Sequence, residues 1–164
     1  MIKSFFQYRL NIPLLIFSIC LVAFIPDLSL NALILSLAFS LLGAFIYIFN
    51  KATDIEEDAV NLACLPIEAK RRKMVMGISV TCLVLPLFFL VQWPALLGLY
   101  VALGLVGYLY SVPLRFMGLR RRLKDVIVIK NAVSAASWGA VPALVPALYQ
   151  GNDIGFMTFM IWLN

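Results

Sequence analysis

The chain is a succession of apolar runs, each close to the length that crosses a bilayer, separated by short polar or cationic segments. One of them, Leu30–Phe49, continues for twenty residues without a charge, about the length a spanning helix needs. Inside lipid there is no water for backbone N–H and C=O groups. Such a run must therefore close its own hydrogen bonds, as a helix or in a sealed barrel. The residue alternation of a membrane barrel is absent, which leaves helices. The other runs are Ile12–Ile25 (closed by Pro26-Asp27), Met74–Gln92, Ala95–Tyr110 and Val126–Tyr149, with a partial one over Ile154–Asn164. Trp93-Pro94 makes a tight turn between two of them. Composition agrees: 63% of residues are hydrophobic and 13% charged, against roughly 45–50% and about 25% in soluble domains. A water-soluble domain, a disordered chain and a disulfide-stapled module are excluded. Residues 1–164 read as one all-α domain, a polytopic transmembrane helix bundle.

Charge placement orients the bundle. Lys3 and Arg9 precede the first span; Lys51, Lys70, Arg71, Arg72 and Lys73 lie between the second and third. Arg115, Arg120, Arg121, Arg122 and Lys124 lie between the fourth and fifth, and Lys130 sits one turn into the fifth. All 13 cations thus fall on one side, and by the positive-inside rule that side, with the N-terminus, is cytoplasmic. The first run has no small-residue cleavage site, so it is a retained anchor rather than a signal peptide. Met1–Leu10 reads as a short interfacial lead-in. The net charge of +5 is assigned to loops facing anionic headgroups and not to nucleic acid. With no His in the chain, imidazole bases and His-based metal sites are excluded. Cys20, Cys64 and Cys82 share no metal or redox spacing.

Four of the eight acids, Asp54, Glu56, Glu57 and Asp58, crowd together just after the second span. The pattern Asn50-x-x-x-Asp54-x-x-x-Asp58 steps by four, and each such step advances a helix face by about 40°. If the helix continues, Asn50, Asp54 and Asp58 form one stripe of hard oxygen ligands at the membrane boundary. That set suits Mg²⁺, which takes one or two carboxylates and leaves its other positions to water and phosphate. The competing reading is a set of solvated acids at a span end. Ionisable groups at that depth favour function, and the facing loop carries the partners a diphosphate requires. Tyr110 and Ser111 offer hydroxyls there, and Arg115 offers a guanidinium fork. Arg120, Arg121 and Arg122 read as headgroup contacts and topology signals.

Asn50–Asp58 after the second span, followed by Tyr110-Ser-Val-Pro-Leu-Arg115 after the fourth, resembles the UbiA superfamily of intramembrane prenyltransferases. Leu123–Ala132 and Ser137-Trp-Gly-Ala-Val-Pro142 look like the opening of that family's fifth helix, and the likeness covers roughly residues 10–150. It implies a UbiA-like fold of nine helices around a lipid-accessible cavity. It also implies transfer of an isoprenyl group from an allylic diphosphate to an aromatic or other lipophilic acceptor. Asn50, Asp54 and Asp58 would then be the Mg²⁺ ligands, with Asp54 and Asp58 catalytic. Tyr110, Ser111 and Arg115 would be the diphosphate contacts. The chain departs from the family pattern at Lys51, where another Asp is usual, and in having no Arg before Pro66. No second Asp-rich motif is present. The partial run Ile154–Asn164 ends in mid-bilayer by this reading, so the bundle is expected to be truncated and inactive alone; a complete five-span protein with a re-entrant tail is the alternative. The small residues of the fourth and fifth spans suit close helix packing, and Pro142 and Pro146 are expected to bend the fifth. The expected location is a bacterial inner membrane. The other function considered is a non-catalytic membrane subunit or remnant. CDP-alcohol phosphotransferase chemistry is disfavoured, because Asp54-x-x-x-Asp58 lacks that family's spacing and Gly.

Overall fold

The computed structural model describes residues 11–25, 28–54, 69–112, 114–116, 119–121, 139 and 141–151. Met1–Leu10, Glu56, Glu57, Asp58, most of Val126–Tyr149 and the run Ile154–Asn164 lie outside the described residues. The architecture is helical: α1 (Asn11–Ala23), α2 (Leu30–Thr53), α3 (Ala69–Val84), α4 (Leu87–Leu90) and α5 (Pro94–Ser111) follow one another, and residues 141–150 are helical as well. A small antiparallel hairpin, β1 (Leu114–Phe116) and β2 (Leu119–Arg121), follows α5. The sequence reading treats that stretch as loop. Only Met117-Gly118 separates the strands, and a two-residue connection containing Gly is a hairpin signal.

Three segments are long and apolar enough to cross a membrane: Leu30–Thr53, Arg71–Leu90 and Pro94–Ser111. They correspond to the runs expected at 30–49, 74–92 and 95–110. The run expected at 12–25 forms a helix of 13 residues. At 1.5 Å per residue it rises about 20 Å, short of a hydrocarbon layer about 30 Å thick. Helix α2 begins at Leu30 because Ser29 caps it, its hydroxyl accepting from the Ala32 N–H at 3.2 Å. Helix α5 begins with Pro94, a residue that lacks the N–H a first turn cannot use.

Helix α2 is the axis, packed against α1, α3 and α5. Of its spanning window 67% is buried, against 22% for Arg71–Leu90 and 28% for Pro94–Ser111. The outer helices turn Met74, Ile78, Val80, Phe88, Val101 and Leu105 outward, a face that needs lipid or further helices against it. Contacts along α2 fix the directions. The Ser79 hydroxyl donates to the Phe45 carbonyl and Arg72 Nε to the Ala52 carbonyl, both at 3.2 Å, so α3 runs antiparallel. Tyr100 meets Phe39 edge-on at 5.6 Å, Gly104 faces Leu42, Gly107 faces Ile46 and Ser111 reaches Asn50, so α5 runs parallel. A Cβ at position 107 would lie 2.5 Å from Ile46 Cγ1; glycine there lets two helices approach closely, as the small-residue pattern implies. Gly98 has nothing within 4 Å and takes no part in this contact.

Pro86 separates α3 from α4 and has no N–H to give the Cys82 carbonyl one turn earlier. In an apolar interior that carbonyl needs another donor. The buried Tyr100 hydroxyl supplies it, at 3.2 Å from the Cys82 oxygen and 3.1 Å from that of Leu83. A polar atom on α5 thus repairs a break in α3.

Candidate functional site

Helix α2 ends at the polar end of the bundle, and its end is specific. Asp54 is the C-cap, with φ −93° and ψ 28°, and its N–H donates to the Asn50 carbonyl at 3.0 Å. The Thr53 hydroxyl bridges back to the carbonyls of Phe49 at 3.2 Å and Asn50 at 2.9 Å. Arg72 Nε takes the Ala52 carbonyl from the side of α3. The Ala52 carbonyl lies beyond the last helical N–H, and Arg72 supplies its donor from the neighbouring helix. The helix ends at Thr53, before the third member of the expected stripe. Asn50 and Asp54, one turn apart, keep the stripe geometry, while Asp58 lies outside the described residues.

The two motif segments meet. The Ser111 hydroxyl lies 3.2 Å from Asn50 Oδ1 and 3.2 Å from the Gly107 carbonyl, able to donate its proton to either. Ser111 is buried completely, and Asn50 is half-buried. This contact joins residues 61 positions apart, on the last turn of α2 and the last residue of α5. Gly107, one turn earlier on α5, makes it reachable by bringing the backbones together. Tyr110 is half-buried and has its own interactions. Adjacent helix positions diverge by about 100°, so Ser111 is the α5 residue that addresses Asn50. Arg115 sits in β1, opposite Arg120 in the hairpin register.

Two features here are missed by sequence reasoning. Lys51 and Asp54 are both buried, at 9% and 7% exposure, although each is an ionisable residue at the end of a span. Beneath them lies an aromatic wall: Phe45 and Phe49 at 5.4 Å between ring centres, and Phe49 and Tyr108 at 5.7 Å. The only sequence signal for the wall is its spacing, Phe45 and Phe49 four apart on α2.

Among the described residues no group of three His, Cys, Asp or Glu converges. The donors present are the Asp54 carboxylate, the Asn50 amide oxygen with a lone pair left beyond its bond to Ser111, and the carbonyl end of α2. Hard oxygens at the negative end of a helix dipole suit a hard cation. One carboxylate is within the number a Mg²⁺ site uses when phosphate and water complete it. No family model, curated protein or solved structure matches the chain.

Proposed function

We propose that this protein is a UbiA-type prenyltransferase: it moves an isoprenyl group from an allylic diphosphate to a lipophilic acceptor within the membrane. The observation that carries the reading is the Ser111–Asn50 hydrogen bond at 3.2 Å. It joins the two sequence segments on which the resemblance rests, at one end of a helical bundle with membrane-length spans.

In this reading Asn50 and Asp54, with Asp58, hold Mg²⁺. When bound, the ion offsets negative charge on the departing diphosphate. The chain's own residues do the rest. Ser111, by its bond to Oδ1, fixes the Asn50 amide so that its oxygen keeps one orientation. Tyr110, Ser111 and Arg115 serve the diphosphate side, Arg115 through the fork geometry that matches phosphate oxygens. The allylic C–O bond breaks with its electron pair leaving on the diphosphate; a bond then forms from the allylic carbon to the acceptor, which gives up a proton. The rings of Phe45, Phe49 and Tyr108 pack together near this end of α2, and a π face among them open to the substrate would stabilise a developing cation. The apolar bundle keeps water from intercepting it.

The test is prenyl transfer from labelled allylic diphosphates, with Mg²⁺ present, in membranes carrying the protein at its full natural length. Asp54→Asn and Asp58→Asn are expected to lower turnover by about 10²–10³, the size of comparable electrostatic deletions, with helicity unchanged. Glu56→Gln and Glu57→Gln, off the stripe, should matter far less. Equal losses from all four would reduce the site to a general charge effect, and no product above empty membranes from the unaltered full-length protein would count against the enzyme itself.

A further inference from the structure

We propose that Arg72 is a positioning residue for the Asn50–Asp54 site: its guanidinium, reaching across from α3, holds the turn of α2 that carries both oxygen donors. The inference rests on the metal reading of that end and deepens it by naming the residue on a neighbouring helix that keeps the donors in place.

Lys70, Arg71, Arg72 and Lys73 form an unbroken run of cations at the start of α3. As topology signals they are interchangeable. Their places on the helix are not, because successive positions diverge by about 100°. Arg72 heads the row that continues through Val75 and Ser79, and that row faces α2. Val75 packs with Ala44, Ile48 and Ala52, and Ser79 donates to the Phe45 carbonyl. Arg72 Nε completes the row on the Ala52 carbonyl at 3.2 Å. Arg72 is thus committed to the end of α2 by its place in the helix, while the residue itself stays exposed, so replacing it opens no cavity in the core.

Ala52 stands midway between Asn50 and Asp54 and is 0% exposed. Its carbonyl lies beyond the Asp54 N–H that serves Asn50, and in a residue closed to solvent it requires a protein donor. The Asp54 N–H and the Thr53 hydroxyl belong to the turn they brace and move with it. Arg72 is anchored on another helix, so it ties the backbone of the turn to the bundle, as Ser111 ties the Asn50 side chain. Its charge also lies at the negative end of the α2 dipole. Fastening α3 to α2 is the competing role, and Ser79 shows what that alone looks like. Its hydroxyl joins the same two helices over the same 3.2 Å, but at a mid-helix carbonyl that a helical N–H already serves. A pure charge effect differs in sign. A guanidinium repels a divalent cation, so deleting its charge alone tightens metal binding, whereas losing the geometry of the turn weakens it.

The experiment uses the protein at its full natural length in zwitterionic nanodiscs, with Mn²⁺ as a paramagnetic probe and amide hydrogen exchange read at Asp54. Arg72→Met should weaken Mn²⁺ binding by about tenfold or more, the effect of removing a partner that orients a metal ligand. It should also speed exchange of the Asp54 amide, with the amides of α5 unchanged as the folding control. Ser79→Ala should leave Mn²⁺ affinity within about twofold of the original and Asp54 exchange unaltered. Arg72→Lys, which keeps a donor and a charge, should recover most of the Mn²⁺ affinity and keeps the test open if Arg72→Met does not fold. Mn²⁺ affinity in Arg72→Met equal to or tighter than the original, matching losses in Arg72→Met and Ser79→Ala, unchanged Asp54 exchange, or no recovery in Arg72→Lys would overturn the assignment of Arg72. An unaltered protein that binds no Mn²⁺ would remove the metal reading beneath it, and the assignment with it.

Discussion

At the Asn50 end of the bundle, helices are joined through oxygens: Ser111 to Asn50, Arg72 to the Ala52 carbonyl, and buried ionisable residues at Lys51 and Asp54. At the opposite end they are joined through rings. Tyr149 packs edge-on against Phe24 at 5.6 Å and Trp93 at 6.0 Å, and its hydroxyl accepts from Asn31 Nδ2 at 3.2 Å. Both ends draw together helices distant in sequence. An aromatic seal has amphipathic tips suited to a membrane–water boundary, and among the described residues it brings no Asp, Glu, Lys or Arg with it. The oxygen-rich end costs more to bury and is the kind of feature that persists where a ligand requires it. Under the function proposed above, the charged substrate would be met at the oxygen-rich end.

The largest expected effect is all-or-none and concerns orientation. If the cations of the sequence all lie on the side of Asn50, as their spacing between the apolar runs leads one to expect, topology reporters fused after Lys73 and after Lys124 should read cytoplasmic, and fusions near Asp27 and Asp153 should read external. A cytoplasmic reading at Asp27 breaks the comparison at its root. Next in size is the loss of about 10²–10³ in turnover from Asp54→Asn; no single substitution among Phe24, Trp93 and Tyr149 should approach it while the protein stays folded.

Helix α5 allows a finer comparison within one element. A Cβ at Gly107 would meet Ile46 Cγ1 at 2.5 Å and Cδ1 at 2.9 Å, while one at Gly98 meets nothing within 4 Å. Gly107→Ala should therefore cost about 1–3 kcal/mol through overpacking and loosen the Ser111–Asn50 contact one turn away. Gly98→Ala should be neutral or stabilising by about 0.5–1 kcal/mol. Reversible unfolding in bilayer-mimetic micelles measures both, and equal costs would mean that α5 does not pack on α2 through Gly107.

Helix positions were readable in the sequence where hydropathy changes abruptly. Leu30 and the Trp93-Pro94 turn are both marked by caps and breakers, and α2 and α5 begin there. Hydropathy misplaces the start of α3, because the helix reaches back to Ala69 through Lys70–Lys73, residues that are good helix formers but poor membrane formers. It also overlooks Pro86 as a division within the third run. The pairing of Asn50 with Ser111 was legible as a proximity of motifs but not as a hydrogen bond. The burial of Lys51 and the Tyr100 repair of α3 were not legible at all. In a lipid-facing helix the outward side is as apolar as the inward one, so the pattern that reveals azimuth in a soluble helix is missing. Which side chain meets which then depends on packing that no single run encodes.

The smallest expected effect separates the two ends most cleanly, because the same chemical change is made at each. Ser111→Ala and Tyr149→Phe both delete one hydroxyl engaged in one cross-helix hydrogen bond of 3.2 Å. Net contributions of such bonds in membrane proteins are about 0.6 kcal/mol on average, so both variants should remain within about 1 kcal/mol of the original stability. Tyr149 keeps its ring, and with it both edge contacts; its activity should be unchanged. Ser111→Ala frees the Asn50 amide to rotate, which places its nitrogen where its oxygen is needed about as readily as the oxygen itself. Turnover should then fall by about tenfold, the rate equivalent of ~1.4 kcal/mol in the barrier, and Ser111→Thr, which keeps the donor, should recover much of it. Measured side by side, equal stabilities with unequal activities would show that the polar end is kept for chemistry. Matching activities would show that the Ser111–Asn50 bond only fastens helices, as the Asn31–Tyr149 bond does.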